Sequence, residues 1–281
     1  MIAIDLDGTL LNSHSTISPA NLRALTEVTG KGIELVVVTG RRFESAVKAL
    51  APLPWPVTLI SSNGAMIRSK TGEILHRDFL PVKVARRVLK AADDYRPYAV
   101  AIFDLPGCGQ IVMEDGAVPE GPLGWYLTHS PDHLLQVRNL QEHLTSDPIQ
   151  LMFGGPPERV APIELLLRER FQPLDFHLTW TKYLSRNLSI LDVMNCGCTK
   201  GHALARWAAM RGISPGEVMA FGDNLNDLEM LEFAGTPVVM GNSAHGLARA
   251  GWSVTLANDQ DGVATALESL VLSPAPNSQP S

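Results

Sequence analysis

Short apolar runs that break off abruptly in acids, hydroxyls and amides constrain this chain more than any other feature. Met1-Ile2-Ala3-Ile4 ends in Asp5-Leu6-Asp7-Gly8-Thr9-Leu10, and Ile33-Glu34-Leu35-Val36-Val37-Val38 ends in Thr39-Gly40-Arg41. Val57-Thr58-Leu59-Ile60 leads to Ser62-Asn63-Gly64, and Val218-Met219-Ala220-Phe221 to Gly222-Asp223-Asn224-Leu225-Asn226-Asp227. Runs of this length suit strands buried on both faces of a parallel sheet. Between the first two, Ser18-Pro19 supplies an N-cap and a first helical residue. Leu22, Leu25 and Val28 then repeat at helical spacing until Gly30 and Gly32 stop the helix. A second helix is predicted over 42–51, before Pro52, Pro54 and Pro56. The β-α-β-α-β alternation predicts a doubly wound parallel sheet of the α/β class.

The rhythm changes near Lys83. Helices are predicted over 84–94, 134–144 and 158–170, with strands over 98–103, 110–114, 149–153, 176–181 and 188–193. Strands joined in close pairs make this an α+β unit with a partly antiparallel sheet. The doubly wound pattern resumes with a helix over 200–211, and segments at 237–240, 244–250 and 252–256 extend the first sheet. The expected organisation is therefore a core of 1–82 and 190–272, an α+β domain of 83–189 inserted into it, and a Ser- and Pro-rich disordered tail over 273–281.

Composition narrows the function classes. With 281 residues, 45% of them hydrophobic and 19% charged, the chain can bury a sizeable core. No apolar run approaches the roughly 20 residues of a membrane span. A net charge of -6 without a basic cluster argues against a nucleic-acid surface. The opening strand leaves no room for a secretory leader, so the chain is read as cytoplasmic, with Cys108, Cys196 and Cys198 as reduced thiols.

The chemistry collects at strand ends, where open α/β sheets bind ligands. A strand's period of two puts Asp5 and Asp7 on one face, where two carboxylates stay ionised together only if a cation lies between them. Gly8 lets the backbone turn away and present N–H groups to an anion. Asp223 and Asp227, four apart at a strand-to-helix junction, point at the same cleft, and an oxygen-donor site of this kind suits magnesium. Lys200, with Thr39, Asn226 and backbone N–H groups, could hold three phosphoryl oxygens, and phosphoryl transfer asks little more of a protein. Each residue also has a plain structural reading: Asp-Gly as a turn, Thr39 as a helix cap, Lys200 as a solvated helix residue.

Taken in order, Asp5-Leu6-Asp7-Gly8-Thr9, Thr39-Gly40-Arg41, Lys200-Gly201 and Gly222-Asp223-Asn224-Leu225-Asn226-Asp227 resemble the four motifs of the haloacid dehalogenase superfamily. The resemblance spans nearly the whole chain and is closest to the Cof-type branch, with a large α+β cap inserted between the second and third motifs. It implies a Rossmann-like core and a magnesium-dependent phosphatase acting on a small phosphorylated metabolite, such as a sugar phosphate, through an aspartyl-phosphate. It also implies roles: Asp5 as nucleophile and Mg2+ ligand, and Asp7 as general acid/base, ligating through its carbonyl. Asp223 would be a further ligand and Asp227 would orient the metal's waters. Leu6 through its backbone, Thr39, Gly40, Lys200 and Asn226 would clamp the phosphate. A phosphomutase or phosphotransferase on the same scaffold is the nearest alternative, and a non-enzymatic regulator phosphorylated on Asp is a more distant one.

Overall fold

The opening run becomes β1 (Ile2–Ile4), all three residues buried, in a computed structural model that describes residues 1–116, 123–124, 127, 131–183 and 187–273. Ser18 caps α1 (Pro19–Gly30) by accepting the Asn21 N–H at 3.1 Å, with proline at the first helical position. Then come β2 (Leu35–Val38), α2 (Phe43–Ala49) and β3 (Thr58–Ser61), followed by two strands the sequence pattern does not announce, β4 (Met66–Ser69) and β5 (Ile74–Arg77). Next in the chain are α3 (Val82–Ala91), β6 (Ala99–Ile102), β7 (Ile111–Glu114), β8 (Leu134–Val137) and α4 (Leu140–His143). They are followed by β9 (Gln150–Gly155), α5 (Pro157–Arg170), β10 (His177–Tyr183) and β11 (Leu188–Met194). The chain closes through α6 (Lys200–Met210), β12 (Met219–Gly222), α7 (Leu228–Phe233), β13 (Thr236–Val239), β14 (Ser253–Val254) and α8 (Gly262–Leu267).

The first sheet runs β14-β13-β12-β1-β2-β3-β4-β5. It is parallel from β14 to β3, and β4 and β5 extend it antiparallel. Strand alternation divides the core into two layers. Ile2, Ile4, Leu35 and Val37 pack with Leu25 and Val28 of α1 and Val263 of α8, whereas Ala3, Val36 and Val38 face Leu204 of α6 and Met230 of α7. Each fully buried aliphatic side chain contributes about 1.5–3 kcal/mol of transfer free energy. From β1 the chain steps to β2 and β3 on one side and returns through β12 on the other. The order thus reverses between β1 and β12, where a doubly wound sheet opens a crevice.

The second sheet runs β10-β11-β9-β6-β7-β8, antiparallel except for β7 and β8. One face packs Phe153, Leu191 and Val193 against Val88 and Leu89 of α3 and Ile163 and Leu167 of α5.

The described residues form two compact units, Met1–Arg77 with Thr199–Ser281, and Asp78–Cys198. The junctions lie outside 83 and 189 because β11 pairs along its length with β10 and β9, which carries the second unit beyond Met194. Two local expectations are corrected. The helix expected over 134–144 is instead strand β8, paired in parallel with β7, and only the short α4, whose N-cap Asn139 accepts the Glu142 N–H at 3.2 Å. Pairing with an existing edge outweighs the apolar spacing that suggested a helix. Residues 244–250 form turns rather than a regular element. The tail expected over 273–281 lies, apart from Ser273, outside the described residues.

Candidate active site

Asp5 follows β1 directly, its N–H continuing the ladder to Phe221 O at 3.1 Å, and the residue is 4% exposed. The backbone then curls: Leu10 N bonds Asp5 O at 3.2 Å and Leu11 N bonds Leu6 O at 2.8 Å, with Gly8 at φ +84. A Cβ at Gly8 would run into the Asp223 carboxylate, and Thr9 Oγ1 donates to Asp223 Oδ1 at 2.9 Å. The Gly-Thr step therefore seats the turn after β1 against the turn after β12.

Lys200 begins α6, whose N-cap Thr199 accepts the His202 N–H at 3.1 Å. Its side chain is 2% exposed, and the ammonium donates to Asp5 Oδ1 at 2.7 Å and Asp227 Oδ1 at 2.6 Å. Burial opposes that charge, but Asp227 and Asp5 outweigh it and push the Lys200 pKa up. The second oxygen of Asp227 accepts the N–H groups of Asp223 and Asn224, both at 3.0 Å. Gly222 permits this closure, since a Cβ there would lie 2.6 Å from Asp227 Cβ.

Asp5, Asp223 and Asp227 bring carboxylate oxygens within 4.8 Å of one another. Burial raises the Asp5 pKa well above the carboxylate range; Lys200 pulls it back and Asp227 and Asp223 add to the rise. Burial, reinforced by Asp227, lifts Asp223 to about 6. Three acids against one lysine form a donor set short of positive charge, which a hard divalent cation fits. Asp5 and Asp223 each spend Oδ1 on a protein donor, which leaves Oδ2 for a cation, while Asp227 has both oxygens engaged by the protein and shapes the site from behind.

The expected crowding of Asp5 with Asp7 is not the arrangement found. β1 ends at Ile4, so the period of two lapses before Asp7. The Asp7 side chain is 56% exposed and is gripped by Arg41, Nε to Oδ2 at 2.7 Å and Nη2 to Oδ1 at 2.5 Å. The acids that crowd Asp5 come from the strand on its other side.

Thr39 is buried at the end of β2, its Oγ1 accepting the Arg41 N–H at 3.1 Å. Gly40 lies against Asn63, and Asn226 Nδ2 donates to Asn63 Oδ1 at 3.3 Å. Leu6 is fully buried beneath the turn. The site residues expected from sequence thus fall into a cluster of Asp5, Lys200, Asp223 and Asp227, with Thr39, Gly40 and Asn226 joined through Asn63, and Asp7 at the rim. Thr9, Arg41, Asn63 and Asn242, whose Nδ2 donates to Gly8 O at 2.8 Å, support this cluster without having been singled out. Each lies in or near a strand-end turn already noted, so proximity to those turns is the signal that could have found them.

Fold and site together define a Rossmann-like α/β hydrolase with its acids at the switch point of the sheet. The chain belongs to the haloacid dehalogenase-like hydrolase family, whose model matches residues 2–267, and is a phosphatase of its Cof-type branch. An HMP-PP phosphatase from Serratia proteamaculans is 31% identical, over 86% of this chain and 84% of the relative. The pyridoxal phosphate phosphatase YbhA from Escherichia coli is 28% identical, over 86% and 88%. Among solved structures, TM0651 from Thermotoga maritima superposes with a TM-score of 0.79 at 26% identity, covering 98% of this chain and 97% of that one.

Proposed function

We propose that this phosphatase hydrolyses a small phosphorylated metabolite, a sugar phosphate or a similar phosphomonoester, through a phosphorylated Asp5. The observation that carries the reading is the buried Asp5 carboxylate, held by Lys200 at 2.7 Å and facing Asp223 and Asp227. Relatives named for HMP-PP and pyridoxal phosphate support a small phosphorylated substrate.

In this reading one Asp5 oxygen attacks phosphorus and the bond to the substrate's oxygen breaks, with Asp7 giving that oxygen its proton. Asp7 then takes a proton from the water that attacks the aspartyl-phosphate, which releases phosphate and restores Asp5. Lys200, Asn226, Thr39 and backbone N–H groups hold the phosphoryl oxygens, and Lys200 favours the ionised form of Asp5 and aims it. Mg2+ held by Asp5, Asp223 and the Asp7 carbonyl, with Asp227 behind them, would neutralise charge on the phosphoryl group.

A screen of phosphorylated metabolites for phosphate release tests the proposal. Turnover should require added magnesium, vanish in excess chelator and return when the metal is restored. Full turnover in excess chelator would overturn the metal assignment. Transfer of phosphate to an added alcohol in preference to water would point to a phosphotransferase.

A further inference from the structure

Ser62–Gly64 is a buried turn built almost entirely from left-handed backbone. Ser62 (φ 50), Asn63 (φ 53) and Gly64 (φ 107) follow one another, and the first two are 2% and 3% exposed. Non-glycine residues avoid this region, and buried examples persist only where surrounding contacts impose them. Here those contacts lead to two of the strand-end motifs and to the start of the Lys200 helix. Asn63 N donates to Thr39 O at 3.1 Å and Ser62 N to Arg41 O at 2.9 Å, which ties the turn to both sides of Gly40. A Cβ on Gly40 would lie 3.0 Å from Asn63 Oδ1, so the glycine relieves a tight contact with the amide. Gly64 packs on the backbone carbonyl of Thr199, the residue that starts the Lys200 helix, closely enough that a Cβ would overlap it. Asn63 Oδ1 accepts Asn226 Nδ2 at 3.3 Å.

We propose that the Ser62–Gly64 turn sets the register of the phosphate-holding groups, with Asn63 as a positioning residue that acts through Asn226. The proposal rests on the reading of Asn226 as a phosphate contact. An amide has two N–H donors. Spending one on Asn63 fixes the rotation of the Asn226 side chain and directs the other, so a phosphoryl oxygen meets a donor already in place rather than one that must be ordered on binding. The left-handed backbone fits the residue type: asparagine is among the few non-glycine residues that visit that conformation.

Asn63→Gly separates the amide from the backbone, because glycine adopts the left-handed conformation freely and removes only the side chain. Affinity for inorganic phosphate in the presence of magnesium, measured by calorimetry, is compared for wild type, Asn63→Gly, Asn226→Ala and the double variant, with Tm followed in parallel. Asn63→Gly should weaken phosphate binding about tenfold in the wild-type background and less than about twofold in the Asn226→Ala background, as expected of two residues that act as a unit. The Tm values establish that each variant is folded at the temperature of the titration. Equal losses in both backgrounds, or no loss in either, would overturn the proposal. The cycle is read from binding alone and so is separable from catalysis. A coupled cycle in a protein that releases phosphate from no substrate would overturn only the phosphatase reading, and an additive cycle in an active phosphatase only this one.

Discussion

Two aspartates separated by one residue meet opposite environments. Asp5 is 4% exposed and bound to a buried lysine, whereas the Asp7 side chain is 56% exposed and held by a guanidinium. A buried, fixed carboxylate suits attack on phosphorus; one at the rim, able to exchange partners, suits proton transfer. In the proposed reading Asp5→Asn removes the attacking oxygen and should abolish the covalent intermediate and turnover together. Asp7→Asn should keep substrate and metal binding and slow both chemical steps, since general acid/base catalysis contributes about 10² to 10⁴ in rate. With an activated aryl phosphate, whose leaving group needs no proton, the first step should recover more than the second, and phosphorylated Asp5 should accumulate. Intact-mass measurement after mixing checks this, and fast turnover without a trapped phosphoprotein would refute the assignment.

Strand β11 shows what an element imposes on one residue. It carries Asp192 into the interior, 4% exposed, where Gln150 of β9 donates to Oδ1 at 2.7 Å. Burial pushes the carboxyl from 3.8 up to about 7, and the Gln150 hydrogen bond offsets only part of the rise. The folded state thus keeps a proton that the unfolded chain releases, so stability from this group is complete below roughly pH 4 and is lost as pH rises through about 7. Asp192→Asn keeps an acceptor for Gln150 and removes the charge. Wild type should lose stability between about pH 4 and 7 that the variant keeps, so the stability difference should move in the variant's favour as pH rises. Thermal denaturation at pH 4, 6 and 8 reads this directly, and an equal difference at every pH would refute it.

At the scale of the molecule, the groups of the candidate site all come from the unit formed by Met1–Arg77 and Thr199–Ser281, and the second unit supplies none of them. In the proposed reading the inserted unit therefore governs substrate choice rather than chemistry. Replacing Asp78–Cys198 by a flexible linker should leave a core that binds magnesium and hydrolyses an activated aryl phosphate, with its ranking among natural phosphomonoesters flattened. Circular dichroism would establish that the core has folded, and unchanged selectivity in a folded core would contradict the role given to the insertion. Among the described residues no helix is long and apolar enough to cross a membrane.

Local rules were sufficient for the doubly wound core. The apolar runs of β1, β2 and β12, the Ser18-Pro19 helix start and the turn residues after each strand carry their signals within a few positions, so period and capping chemistry expose them. The convergence of Asp5, Thr39 and Asp223 on one sheet edge follows from the same alternation, since parallel strands end on the same side, and Lys200 opens the helix that leads back into β12. Pairing partners were another matter. β4, β5 and β8 are short and weakly patterned, and they are strands because a neighbouring edge satisfies their backbone groups, which no local pattern states. Tertiary structure alone also decided which acids crowd Asp5, because that depends on where β1 stops and on β12 lying beside it across more than two hundred residues of chain. For the same reason Arg41 on Asp7 and Asn63 beneath Asn226 come to light only in three dimensions: a side chain's partner is set by the packing of turns, and a sequence records the turns without the distances between them.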